Sequence, residues 1–469
     1  MVTPAPRWSA LQTPAFSILG ITVALSALFL AVGTIFTSLS TPWAAAATLP
    51  VTLVAGAAWL TALLRLADPV ERRPAWLVAF ALAWGGALAV AVGLLGGLAV
   101  DLLVAQTVSP TFAADWGAAI AAPYAEEIGK GAGVVMVLLV ARPYLTTVWS
   151  GALYGALVGV GFALTEDAVY ALTAADDVLP DDVEAALSTL ALRSVALALV
   201  GHPLFTATAG AGIAYAWLRR DRSPRQRLGV LAAALSGAML MHAAVNSPVS
   251  HAATSALAAL SESNAMAGYL LVVVAFAGYP LWWLVQLRRS DARMLLTRAA
   301  ALAPETIQPD EVKTLASVRA RRSATRRIRR LHGAEAARRH TTLRRAQLCF
   351  TAATAQPYLG YPAFGPFGLA PPLLHWSQEA ATARHGVPDI NPAADVPLPP
   401  TRATTAAATA VLTAATAGLL FSPAALLAIL GAAVLRWRKV GGRLATIATL
   451  SALFSAYSAA TTLLIAVLF

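Results

Sequence analysis

Charge is what this sequence has least of: Asp, Glu, Lys and Arg make up 12% of its residues, where soluble chains carry about a quarter. With 58% of the chain apolar, too little polar surface is left to cover a water-soluble body, so lipid must face the remainder. That excludes a secreted or cytosolic enzyme and makes the chain an all-α polytopic membrane protein. Cysteine is nearly absent too. Cys349 stands alone, so one chain can build neither an internal disulfide framework nor a thiolate metal cluster. Repeats of fixed period are also lacking, which weighs against architectures made of two related halves.

The excess of positive charge is local. Positions 288–345 hold 16 Arg plus Lys and 5 Asp plus Glu, which accounts for the whole net charge of +11. Before them, apolar runs long enough to cross about 30 Å of hydrocarbon, roughly 20 helical residues, begin near Phe16, Trp43, Trp76, Gly117, Val148, Leu190, Leu228 and Ala267. The first of these eight runs is too long for a signal peptide and has no small-residue cleavage site, so it is read as a retained span.

Short loops that keep Arg set the orientation. Arg65, Arg72 and Arg73, then Arg142, then Arg219 to Arg227, then Arg288 and Arg289 follow the even-numbered runs. The loop after the fifth run carries Asp176, Asp177, Asp181, Asp182 and Glu184 without a base. Both ends of the eight-span unit, and the basic segment after it, are therefore expected in the cytoplasm.

Four regions follow from this reading: a membrane core at 1–287 with its catalytic spans at about 117–247, a basic cytoplasmic segment at 288–345, a Pro-rich linker at 346–403, and about two C-terminal hydrophobic helices at 404–469. The linker is expected to be extended. The topology of the last region is left open by Pro423 and by Arg436, Arg438 and Lys439.

An ionisable side chain in mid-membrane costs roughly 2.5 to 3.5 kcal/mol on insertion scales and is a functional candidate by default. Four consecutive spans carry them: Glu126, Glu127 and Lys130; Glu166 and Asp167; Arg193 and His202; and His242, with Asn246 one turn later. At about 1.5 Å per residue, Glu127 lies roughly 15 Å below the outer face, His202 roughly 18 Å, and Glu166 and His242 roughly 10 Å. Helices running in alternate directions thus bring their polar groups to a common layer. Glu127 with Lys130, and His242 with Asn246, share helix faces. The fifth run adds Gly151, Gly155 and Gly159, a small-residue stripe that admits a close neighbour.

Two carboxylates and two imidazoles at one depth suit a divalent metal such as zinc, with Glu127, Glu166, His202 and His242 as ligands. The metal acidifies a bound water, and the remaining glutamate serves as general base. A metal-free variant uses one glutamate to activate water directly, with His and Asn as oxyanion donors. Either arrangement hydrolyses an amide.

Ala125-Glu126-Glu127-Ile128-Gly129-Lys130, Gly161-Phe162-Ala163-Leu164-Thr165-Glu166-Asp167, His202-Pro203-Leu204-Phe205-Thr206 with Gly210, and His242-Ala243-Ala244-Val245-Asn246 together resemble the four motifs of PrsW-type intramembrane proteases. These are related to CAAX prenyl endopeptidases and bacteriocin-processing enzymes. The resemblance covers about 116–247 and implies an eight-helix intramembrane protease core. Its paired glutamates Glu126 and Glu127 would activate water, Glu166, His202 and His242 would complete the catalytic site, and Asn246 would support it. It also implies a membrane-anchored protein substrate, an anti-sigma-factor-like regulator, and a bacterial plasma-membrane setting. Asp167 departs from the family, which more often has Asn there.

Plainer readings accompany each residue. The glutamates with Lys130 also make a buried ion pair, and adjacent positions do not share a helix face, so one of the two is expected at the centre, Glu127 first and Glu126 as its close alternate. His202 before Pro203 also fits a histidine satisfied at a kink. Arg193 reads as an interfacial or charge-balancing residue outside the core site. The Arg-rich run favours anionic lipid over nucleic acid, since no base-reading module accompanies it. Proton-coupled transport and a non-catalytic scaffold are the alternative function classes.

Overall fold

The computed structural model describes residues 14–66, 75–140, 147–177, 181–196, 201–250, 264–301, 306–316, 318–354 and 373–385, together with the isolated positions 252 and 255. Two compact units are distinguished: Met1–Ser247 with Ala275–Pro392, and Pro248–Val274 with Ala393–Phe469. The described part of the second unit is helical at 248–250 and from Asn264 onward. The C-terminal hydrophobic helices predicted at 404–469 lie outside the described residues.

In the first unit, apolar composition and the need to satisfy every backbone group in lipid dictate helices. They are α1 (Pro14–Ser40), α2 (Pro42–Leu66), α3 (Ala75–Thr107, with a π turn at Trp84–Ala89), α4 (Pro110–Val140), α5 (Val148–Asp177), α6 (Val183–Leu190, continued by a π turn at Ala191–Ala196), α7 (His202–Leu218) and α8 (Pro224–Val245). A longer helix, α9 (Asn264–Ala301), and three shorter or more polar ones, α10 (Pro309–Ala316), α11 (Val318–Thr354) and α12 (Leu373–Arg384), follow.

Among the described residues, five helices are long and apolar enough to cross a membrane: Gly20–Ser40, Pro42–Leu64, Ala75–Thr107, Val148–Asp176 and Pro224–Val245. The chain is an all-α, multi-pass membrane protein. The fourth predicted run is the 31-residue α4, as long as the others but carrying Glu126, Glu127 and Lys130. The eighth falls in α9.

The sixth run departs from expectation. It is not one span with His202 a dozen residues inside it. α6 is short and capped by Asp182, whose carboxylate accepts from the Ala185 amide at 3.0 Å. After its π turn a new helix begins at His202 with Gly201 as N-cap. Gly201 adopts the non-helical angles φ −90° and ψ −138°, and Pro203 sits in the first turn, where its missing N–H is no loss. His202 therefore occupies a helix start and not a kink.

Helix α5 is the hub. In its apolar window 78% of residues are buried, against 6% in α1 and 28% in α3 and α8. Its small-residue stripe faces α7: a Cβ on Gly151 would overlap Ala214, one on Gly155 the Thr206 carbonyl, and one on Gly159 the His202 carbonyl. On another face Gly161 meets the Leu82 carbonyl of α3. The stripe thus fixes the start of α7, and His202 with it, against the centre of the bundle. Gly155→Val should destabilise the protein by at least about 1–3 kcal/mol, because backbone and not a movable side chain is in the way. Thermal unfolding in detergent checks this, with Gly97→Val, which meets open space, expected to be neutral.

The basic segment is less solvated than its composition suggests. Glu311 is bracketed by Arg344 Nη1 at 2.9 Å and Arg384 Nη2 at 2.8 Å, and Gln347 Nε2 donates to it at 2.7 Å. Burial, with the Arg344 guanidinium alongside, pushes the His340 imidazole down to about 3. Arg319, Arg326, Arg329, Arg330, Arg338 and Arg339 remain exposed on α11. The Pro-rich stretch read as an extended linker contains α12, because Ala380 packs against Leu343 and Ala346 and Arg384 reaches Glu311.

Candidate active site

Six side chains from four helices meet in the first unit. Glu126, Glu127 and Lys130 come from α4, Glu166 from α5, His202 from the start of α7 and His242 from the last turn of α8. Lys130 Nζ lies 2.6 Å from Glu127 Oε1, 3.2 Å from Glu126 Oε2 and 2.9 Å from His202 Nδ1. His242 Nδ1 donates to Glu127 Oε1 at 3.0 Å. Glu126 Oε2 stands 3.9 Å from His202 Nδ1 and 3.8 Å from His242 Nε2. His202 Nε2 is 2.7 Å from Glu166 Oε2.

Local sequence explains the convergence. Lys130 is three and four residues from the two glutamates, one turn on, so its ammonium returns over them. The imidazoles are edge to face, with centroids 5.0 Å apart. Phe205, one turn into α7, stacks on His242 at 5.4 Å, and Phe162 of α5 covers His202 at 4.8 Å and Lys130 Nζ at 4.1 Å. These rings cover a buried cluster, and burial makes its charge interactions stronger than in water.

Glu126, Glu127, His202 and His242 each offer a ligand atom, and these atoms lie within 4.8 Å of one another. Both glutamates reach the cluster, where the helix-face argument expected one. Residues i and i+1 differ by about 100° on a helix, yet both side chains are long, and the cluster lies between their two directions, so both reach it. The metal set expected from sequence named Glu166 where the structure brings in Glu126. Glu166 stands behind His202, on its far nitrogen. Asn246 caps the end of α8 and donates to the Ala118 carbonyl at 3.4 Å.

Two cations take a larger part in the site than the sequence pattern indicates. Lys130 is fully buried and touches three of the four clustered side chains, a position signalled by its being the one lysine before Lys313. Arg193, set aside as interfacial or charge-balancing, lies in the π turn of α6 and pairs with Glu166 at 2.6 Å and Asp167 at 2.8 Å. The break before α7 carried no periodicity signal, so its reach toward α5 was hidden.

The donor set suits a metal. Two imidazole nitrogens and carboxylate oxygens are ordinary zinc ligands, and Glu127 Oε2 is buried with no hydrogen-bond partner, an orphan acceptor expected to have something to receive.

No curated protein and no solved structure matches the chain. A family model described as PrsW family intramembrane metalloprotease matches residues 73–279, a span that includes all four clustered side chains. Over those residues, somewhat under half of the chain, the sequence is similar to the PrsW family of intramembrane metalloproteases.

Proposed function

We propose that the cluster hydrolyses a peptide bond of a membrane-anchored protein, an anti-sigma-factor-like regulator, within the lipid layer near the outer face. One observation carries this reading: Glu126, Glu127, His202 and His242 gather around a common point while Glu127 Oε2 stays bare. His202 Nδ1, His242 Nε2 and Glu126 Oε2 would hold a divalent ion such as zinc. When bound, that ion lowers the pKa of water and polarises the scissile carbonyl.

The remaining steps belong to the chain's own groups. Glu127 Oε2 accepts a proton from the attacking water as the oxygen–carbon bond forms. It then returns that proton to the leaving amine as the carbon–nitrogen bond breaks. Glu127 Oε1 meanwhile orients His242 through Nδ1, as Glu166 orients His202 through Nε2, an arrangement that fixes ligand rings. The Phe162 and Phe205 rings limit bulk water. Lys130 compensates the carboxylates before any metal arrives, so an ammonium and a divalent ion compete for the same donors.

The same reading puts the N-terminus and the basic segment in the cytoplasm of a bacterial plasma membrane. The exposed arginines of α11 would meet anionic headgroups, each worth about 1 kcal/mol near the surface. Reconstituted protein with a single-span substrate tests the proposal. Chelation should stop cleavage and zinc should restore it; unchanged cleavage after exhaustive chelation would leave glutamate alone as the chemistry.

A further inference from the structure

We infer that Arg193 is a positioning residue that holds Glu166 where it accepts from His202 Nε2. The inference rests on the reading of the cluster above. An ammonium has donors only, so Lys130 Nζ, 2.9 Å from His202 Nδ1, requires that nitrogen to accept. The neutral ring then carries its hydrogen on Nε2 and donates it to Glu166 Oε2 at 2.7 Å. This leaves the Nδ1 lone pair facing Glu126 and His242. The whole arrangement depends on where Glu166 Oε2 stands.

Arg193 determines that position. Its Nη2 donates to the same Glu166 Oε2 at 2.6 Å and its Nε to Asp167 Oδ1 at 2.8 Å. The guanidinium thus spans two adjacent carboxylates of α5, which a single ammonium cannot do in the same fixed plane. Three contacts anchor the fork itself. Ser194 Oγ donates to Asp167 Oδ2 at 2.7 Å, Trp59 Nε1 donates to the Ser194 carbonyl at 3.0 Å, and the guanidinium lies 4.2 Å from the Tyr170 ring centre. A π turn offers the irregular backbone needed to aim it, as such turns often do at functional sites. Asp167, the departure from the family pattern, is accordingly part of the Arg193 clamp and does not face the cluster.

The test separates positioning from charge balance. Arg193→Gln alone leaves two carboxylates uncompensated and can fail to fold, so it is paired with Asp167→Asn, which removes one of them. Zinc affinity is measured by competition with a chromophoric chelator, and kcat and KM with a single-span substrate. The double variant removes one cation and one carboxylate; compared at a temperature where thermal unfolding shows it folded, it is expected to lose about 10–100-fold in zinc affinity and in kcat, the usual effect of removing an outer partner of a ligand, with KM nearly unchanged. Asp167→Asn alone keeps an oxygen for the Arg193 Nε–H and should lose less than the double variant in both, and Arg193→Lys, which cannot span both carboxylates, should lose zinc affinity and kcat as the double variant does. A folded double variant with wild-type zinc affinity and kcat would overturn the inference. Wild-type protein that binds no zinc and cuts nothing would instead remove the functional reading beneath it.

Discussion

Glu127→Gln should lower the rate of peptide cleavage by about 10²–10⁴-fold, the range lost with a positioned general base, while zinc binding stays within about tenfold of wild type. The amide retains the shape of the carboxylate and can still accept from His242 Nδ1 through its oxygen, so the ring stays oriented. It cannot take a proton from water. Cleavage by the variant at more than a tenth of the wild-type rate would assign the base elsewhere, with Glu126 as the next candidate.

Lys130→Met should produce the largest loss of stability. Lys130 is fully buried and its ammonium touches Glu127 at 2.6 Å and Glu126 at 3.2 Å, so its removal leaves two buried carboxylates without their cation. Breaking a buried pair in this way costs about 3–5 kcal/mol. Because the ammonium and a divalent ion share donors, zinc should repair the defect more in the variant than in wild type. A free ion at a hundred times its dissociation constant contributes about 2.7 kcal/mol. Thermal unfolding in detergent with and without zinc reads both effects. A metal-free variant as stable as wild type would show that Lys130 is not the charge holding the cluster together.

The sequence revealed the features that rest on local pattern. Long apolar runs marked the helices because lipid leaves the backbone no other way to satisfy itself. Glu126, Glu127, His202 and His242 stood out because ionisable groups are costly in mid-membrane, and the glycines of α5 announced a close neighbour. What stayed hidden depended on where the chain breaks. Gly201 and Pro203 sit inside an apolar run that hydropathy reads as continuous, so His202 was assigned to the interior of a helix when it begins one. That error also concealed Arg193, whose side chain crosses from the π turn of α6 to α5. The convergence of both glutamates depends on side-chain reach, which helical periodicity does not report. In the basic segment, Glu311 draws in Arg344 and Arg384 from distant positions, a contact that composition alone cannot anticipate.

In the proposed centre, groups from separate helices work as one. Its most direct test is cleavage of a reconstituted single-span substrate by Glu126→Gln, His202→Ala and His242→Ala, each alone and in pairs. Groups that act as a unit are grossly non-additive, so each single variant should lose nearly all cleavage and each pair should lose little more. Substantial cutting by any two of the single variants, or losses that multiply as independent sites would, would contradict it.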